Sequence, residues 1–243
     1  MQPWEHIEGH LATPRGFCGS ATHAGIKRSA GALDLALIYS EAPETTAAGV
    51  FTTNRAAAAP VLLSRLHLKA SGGRARAVVV NSGNANACTG AGGMRKAQET
   101  AHAAAKLLGT TDHHVLVAST GVIGVPIKTA LITGKLPALA ARLQNAADIA
   151  RAIMTTDAFP KVSVLRAQMG GKTVHLAGVA KGAGMIHPRM ATMLSLITTE
   201  VAMGSGDLQK MLQAAVDASF NRITVDGDTS TNDTVIALAS GLS

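Results

Sequence analysis

Six aromatic rings (Trp 1, Tyr 1, Phe 4) are all that this chain of 243 residues has with which to fill its interior. A ring buries about 150–250 Å². A chain with so few must build its core from Ala, Val, Leu, Ile and Met, packed in many small contacts. There is material enough, since hydrophobic residues make up 47% of the chain and charged residues 15%, which excludes general disorder. At roughly one domain per 150 residues, the length predicts one large domain or two small ones. The same scarcity of rings argues against binding nucleic acid, because that recognition leans on aromatic stacking platforms. The net charge of +7 comes from 22 Lys+Arg against 15 Asp+Glu, dispersed without a basic run. A dispersed excess suits a solvated surface, or attraction of small anionic substrates.

Cys18 and Cys88 lie far apart and in no C-x-x-C or Cys/His cluster, which predicts two reduced thiols, no disulfide framework and no structural zinc. The start, Met1-Gln-Pro-Trp-Glu-His, lacks a basic segment followed by an apolar one. No stretch reaches the ~18 apolar residues of a membrane span. The expectation is a cytoplasmic protein with no membrane or nucleic-acid partner. The last residues, Gly241-Leu-Ser243, follow an apolar run directly, which suggests a fragment of a longer chain.

Apolar alternation and β-branched runs predict strands over residues 33–39, 48–53, 75–80, 115–118 and 193–198. Residues 162–168 and 173–177 flank Gly170-Gly171 and predict a hairpin. Helical spacing predicts helices over 94–108, stopped by Gly109, over 136–154, and from about 205 to 220. Residues 222–226 read as a further strand, and 81–93 as a loop dense in Asn and Gly. Many strands, long helices and irregular βαβ alternation point to α+β or a layered α/β sandwich.

Several familiar patterns fail. Gly171-Lys172-Thr173 ends like a P-loop, but Arg166 stands where the opening glycine belongs. Gly182-x-Gly184 has His187 in place of the third glycine of a dinucleotide fingerprint. Asp226-x-Asp228-x-Ser230 begins like a calcium loop, but Thr231 replaces the glycine and Ala237 the bidentate Glu. His113-His114 has no ligand partner at i,i+4, and no G-x-S-x-G elbow occurs.

The most unusual stretch is Gly178-Val-Ala-Lys-Gly-Ala-Gly-Met-Ile-His-Pro-Arg-Met-Ala-Thr-Met-Leu194. A glycine-rich, lysine-bearing loop leads through a proline to Ala191-Thr192 and into an apolar strand. Thr192 has two readings. One is a strand-opening residue chosen for β-propensity. The other is a nucleophile, activated by its own α-amine once the chain is cut before it; such an amine titrates at about 7.7–8.0, where a general base works well.

The segment Lys181-Gly-Ala-Gly-Met-Ile-His-Pro-Arg-Met-Ala-Thr-Met-Leu194 resembles the K-G-[SA]-G-M-I-x-P-x-M-A-T-M-L motif of the ornithine acetyltransferase (glutamate N-acetyltransferase) family. Four more segments resemble that family in order: 47–55 (AAGVFTTNR), 80–90 (VNSGNANACTG), 117–124 (VASTGVIG) and 219–233 (SFNRITVDGDTSTND). The resemblance implies a layered α/β/β/α sandwich and self-cleavage between Ala191 and Thr192. Residues 1–191 would form an alpha chain and 192–243 the start of a beta chain, assembling as a heterotetramer. Thr192 would take an acetyl group from N-acetylornithine and pass it to glutamate in arginine biosynthesis. Thr120 and Gly121 match the family's oxyanion-hole pair. Thr155, Lys181 and Thr192 would bind substrate, Lys181 also helping to keep the Thr192 amine neutral. No metal or organic cofactor is implied, with acetyl-CoA left open as a second acetyl donor. Family chains run on beyond residue 243 and there supply a substrate-binding Glu and a C-terminal Asn/Thr pair. The alternatives are a self-cleaving aminopeptidase of related fold and an inactive truncated fragment.

Overall fold

The computed structural model describes residues 4–144, 146–187 and 193–243. Among them the strands form two sheets. The smaller contains β2 (Phe17–Thr22), β3 (Leu35–Ser40), β5 (Ala77–Asn84) and β6 (Val115–Val122), in that order. The larger contains β1 (Glu5–His6), β4 (Thr46–Phe51), β7 (Lys161–Met169), β8 (Lys172–Lys181), β9 (Leu194–Thr199) and β10 (Thr234–Ala239), in the order β1-β7-β8-β9-β10-β4. The helices are α1 (Ala59–Ala70), α2 (Gly90–Leu108), α3 (Thr129–Thr133), α4 (Leu136–Ala140), α5 (Ile149–Ala152) and α6 (Ser205–Ala218).

Strand parity produces the layers. Side chains alternate across a strand, so a strand covered on both faces is apolar throughout. Ala36 and Ile38, Val78 and Val80, Leu116 and Ala118 face Val179, Leu194, Leu196, Ile236 and Leu238 of the other sheet. Their neighbours Leu35, Leu37, Ala77, Val79, Val115 and Val117 face outward, under α1, α2, α3 and α4. On the far side, Ala48, Val50, Val235 and Ala237 meet Leu208, Leu212 and Val216 of α6. The result is the α/β/β/α sandwich. Parallel pairing occurs between β5 and β6, linked through α2, and between β9 and β10, linked through α6; the other neighbours are antiparallel. This is not a doubly wound parallel sheet.

The scarcity of rings is answered by alanine. Ala97, Ala101, Ala104 and Ala105 of α2 lie on the sheet without a bulky side chain between. Gly109 ends α2 in the left-handed conformation (φ 63°), as expected of a glycine at that position. The hairpin turns at Gly170-Gly171, both at positive φ (58° and 78°).

Three expectations need correction. Helix α2 begins at Gly90 rather than residue 94. The expected helix over 136–154 is broken into α4, a 3₁₀ turn (Ala146–Asp148) and α5. The reason is packing: Leu136 and Leu139 belong to the layer under α2, whereas Ala146, Ile149, Ala150, Ala152 and Ile153 fill the space between the sheets. One straight helix could not serve both layers. The expected strand over 222–226 is a 3₁₀ turn (Phe220–Arg222) followed by irregular chain, with Ile223 and Val225 exposed. Its Val225 amide donates to Ile186 O at 2.8 Å, a loop-to-loop bond.

Candidate active site

The loops at one end of the two sheets enclose an open cleft of about 790 Å³. Thr120, Gly121, Thr155 and Lys181, singled out from three separate segments, all line it, together with Lys27, Gly83, Asn84, Asp226 and Asn232.

Thr120 and Gly121 sit at the end of β6, where Gly83 of β5 lies opposite Gly121 and the register slips at Gly83–Asn84. Gly121 has φ +129°, and a Cβ there would run into the Gly83 backbone and lie 2.6 Å from Asn84 N. Close backbone approach and a left-handed angle both demand glycine. The preceding Thr120 is buried. The Asn-rich loop holds this junction. Ser119 Oγ donates to Asn81 Oδ1 at 2.6 Å, and Asn81 Nδ2 to Asn84 O at 2.8 Å. Asn84 accepts from Asn86 N at 2.8 Å and donates to Val125 O at 3.0 Å. Asn86 and Cys88 adopt positive φ (47° and 55°), so the density of Asn reflects real turn geometry.

Lys181, the last residue of β8, is 2% exposed and donates to Thr155 Oγ1 at 3.2 Å. Burial pushes its ammonium down to about 8, against the pull of Asp157 and Asp233. Asp157 fixes the surroundings of this pair: its carboxylate accepts from Thr155 N (3.2 Å), Gly182 N (2.7 Å) and Lys161 Nζ (2.6 Å). Burial raises the Asp157 pKa, but these bonds outweigh it and hold the carboxyl below its ordinary range. Asp233 is fully buried and accepts from Met193 N at 2.8 Å. Burial pushes its carboxyl up to about 7, against the Met193 amide, the Lys181 charge and the nearby Ser230 side chain, and Oδ2 has no partner within hydrogen-bond geometry among the described residues.

Ala191 and Thr192 lie outside the described residues. The chain before them lines the cleft through Lys181, Ala183, Gly184 and Met185, with Asp226 accepting from Met185 N and, at 2.8 Å, Ile186 N; the chain after them lies next to it, where Leu194 of β9 pairs with Lys181 of β8. Sequence reasoning gave no role to Asp157, Asp226, Asn232 or Asp233. The signal was present, since all four fall in the T-T-D and D-G-D-T-S-T-N-D stretches.

The ArgJ family model matches residues 19–243. The chain belongs to the ArgJ family. The arginine biosynthesis bifunctional protein ArgJ of Symbiobacterium thermophilum is 51% identical over 241 residues, which are 98% of this chain and 59% of that protein. The chain therefore spans under two thirds of the length of this ArgJ relative. Among solved structures, ArgJ from Bacillus halodurans superposes with a TM-score of 0.71 at 36% identity, covering 79% of this chain and 98% of that one. Ornithine acetyltransferase from Mycobacterium tuberculosis, solved with ornithine, gives 0.70 at 39% identity, covering 76% and 98%. An L-aminopeptidase D-Ala-esterase/amidase from Ochrobactrum anthropi, described as a variant of the Ntn hydrolase fold, gives 0.53 at 13% identity over 98% of this chain and 76% of that one. That likeness shows the sandwich fold alone.

Proposed function

We propose that this ArgJ-family chain carries the self-cleavage site and the acyl-transfer centre of a glutamate N-acetyltransferase of arginine biosynthesis. The observation that carries the reading is the convergence of Thr120, Gly121, Thr155 and Lys181 on one cleft, which the chain before Ala191-Thr192 lines as far as Met185 and beside which Leu194 of the chain after it pairs with Lys181.

The Thr192 hydroxyl attacks the Ala191 carbonyl, the acyl group moves from nitrogen to oxygen, and water opens the ester. Residues 1–191 and the chain beginning at Thr192 result. A length argument supports this cut. The Bacillus halodurans chain is matched over nearly its whole length yet covers 79% of this one, about 192 residues.

In the transfer, Thr192 Oγ attacks the acetyl carbonyl of N-acetylornithine while its α-amine takes the hydroxyl proton. That proton leaves on the ornithine amine. The amine of glutamate then takes the acetyl group from the ester, and the hydroxyl is restored. Thr120 Oγ and Gly121 N–H donate to the oxygen that becomes negative in both steps; one such donor is worth about 2.7–4 kcal/mol. Lys181 and Thr155 hold the amino-acid portion, the lysine opposite its carboxylate. The buried Lys181 charge also favours a neutral α-amine. The reading needs no metal or organic cofactor, and acetyl-CoA remains a second donor to assay. The assembly is a heterotetramer of alpha and beta chains in the cytoplasm.

The test is intact mass and N-terminal sequencing of the protein as its gene encodes it. A new N-terminus at Thr192 is expected. Thr192→Ala leaves one uncut, inactive chain, and Thr192→Ser keeps some cleavage. A mature chain that starts at another residue overturns the assignment.

A further inference from the structure

We infer that Asn232 and Asp233 are positioning residues that together fix the separation between the attacking hydroxyl and the oxyanion donors. The inference rests on the roles proposed above for Thr192, Thr120 and Gly121.

Asn232 uses both amide protons on carbonyl groups, Ala85 O at 2.7 Å and Ser119 O at 2.8 Å. Its Oδ1 accepts from Thr231 Oγ1 at 2.6 Å, and its backbone N–H donates to Ser230 Oγ at 3.0 Å. The side chain is 5% exposed and its orientation is settled by those two carbonyls. Ser119 C=O and Thr120 N–H belong to one planar unit, so holding Ser119 O fixes the Cα from which the Thr120 hydroxyl projects. Ala85 N in turn donates to Val122 O at 3.0 Å. The residues flanking Thr120-Gly121 are thus both tied to Asn232, Ser119 directly and Val122 through Ala85.

Asp233 reaches the other way. Its Oδ1 accepts Met193 N–H at 2.8 Å, and the next amide, Thr234 N, donates to Met193 O at 2.9 Å. Met193 is therefore gripped on both edges, and it follows Thr192 directly in the sequence. A peptide unit has fixed dimensions. Two adjacent residues thus hold the start of β9 and the end of β6 at a set distance, although these belong to different sheets. A polar group buried only for packing would give stability and leave turnover alone. A spacer should act on kcat, since a misplacement of about 1 Å can lower the rate roughly a hundredfold.

The experiment compares Asn232→Ala, Asn232→Asp, Asp233→Ala and Asp233→Asn in the protein as its gene encodes it. The readouts are kcat and KM for acetyl transfer, the self-cleavage rate and thermal melting. Both Asn232 variants should lose about a hundredfold in kcat with KM for N-acetylornithine nearly unmoved. Asp233→Ala should slow cleavage and transfer together. Asp233→Asn keeps an oxygen acceptor for Met193 N–H and should recover at least about a tenth of the parent kcat. The inference is overturned if the Asn232 variants melt lower but turn over at the parental kcat, or if Asp233→Asn is as slow as Asp233→Ala. Thr192→Ala and Thr120→Ala serve as controls. If Thr192→Ala still cuts at the same bond, the nucleophile reading falls and takes the spacer with it. If the controls behave as proposed and the 232 and 233 variants do not, the spacer alone falls.

Discussion

Lys181 Nζ donates to Thr155 Oγ1 at 3.2 Å, joining the end of β8 to the turn that follows α5 across 26 residues of sequence. Both side chains are proposed to bind substrate, and the bond brings them to one spot. It satisfies one of the three donors of an ammonium that the fold has otherwise taken out of water.

Lys181→Met tests that desolvation. The folded-state pKa, about 8, lies below the ordinary 10.5, so between these values the unfolded chain holds a proton that the folded chain has released. Stability then rises with pH through that window. Asp233, raised only to about 7, is ionised throughout it. The melting temperature of the parent, relative to Lys181→Met, should climb between pH 8 and 10, at about 2–4 °C per kcal/mol for a chain of this size. A difference that stays constant with pH would show the ammonium to be well solvated.

Thr120→Ala should lower kcat by about a hundredfold or more and leave KM nearly unchanged. A donor aimed at the developing oxyanion acts in the transition state and contributes little to ground-state binding. Steady-state kinetics decide, and a change confined to KM would remove Thr120 from the oxyanion role.

Gly121→Ala should damage both fold and rate. The backbone angle alone costs about 1–3 kcal/mol for a residue with a side chain, and the new methyl group meets the Gly83–Asn84 backbone, which cannot swing aside. Thermal melting should show a drop of several degrees, accompanied by a fall in kcat. An unchanged melting temperature would mean that β5 and β6 separate easily at this point.

Asp157→Ala removes the acceptor shared by Thr155 N, Gly182 N and Lys161 Nζ. Lys161 can turn to water, so the main loss is the bond from the half-buried Gly182 amide to a charged acceptor, worth at most about 1.5–3 kcal/mol. KM should rise, because Thr155 and Lys181 lose their common anchor. The depressed carboxyl also predicts that the parent loses this contribution as pH falls through the carboxylate range, a loss absent from the variant. Melting curves in acid, parent against variant, would expose its absence.

The strands β3, β5 and β6 were legible as apolar runs, but the four-layer order followed from the family resemblance, with which the strand-rich reading was compatible. The hairpin was legible from its two glycines. The start of α2 was hidden by Gly90, Gly92 and Gly93, poor helix formers, yet a Cβ on Gly93 would collide with the side chains of Thr89 and Asn86. Ile223 and Val225 looked like strand residues because β-branching is a local property, while their exposure is decided by loops far away in sequence. At the site, Thr120, Gly121, Thr155 and Lys181 were legible only through the family resemblance, since by residue type alone they read as a strand-ending turn, a helix-ending polar residue and a loop charge. Asn232 and Asp233 were quoted within a motif but given no task, because their partners Ala85, Ser119 and Met193 contribute backbone atoms, which leave no mark on a sequence.

The position of β9 and β10 gives a cut at residue 191 an unusual character. These strands lie side by side in the interior of the larger sheet, with β8 on one flank and β4 on the other. Both flanking strands precede the cut. Scission would leave the second piece mortised into the first, clamped on two sides by ladders and lidded by its own α6. The pieces could not drift apart without melting the sheet. Losing the covalent link would therefore be a one-way maturation, and the broken bond would yield a new chain end without yielding a separable subunit.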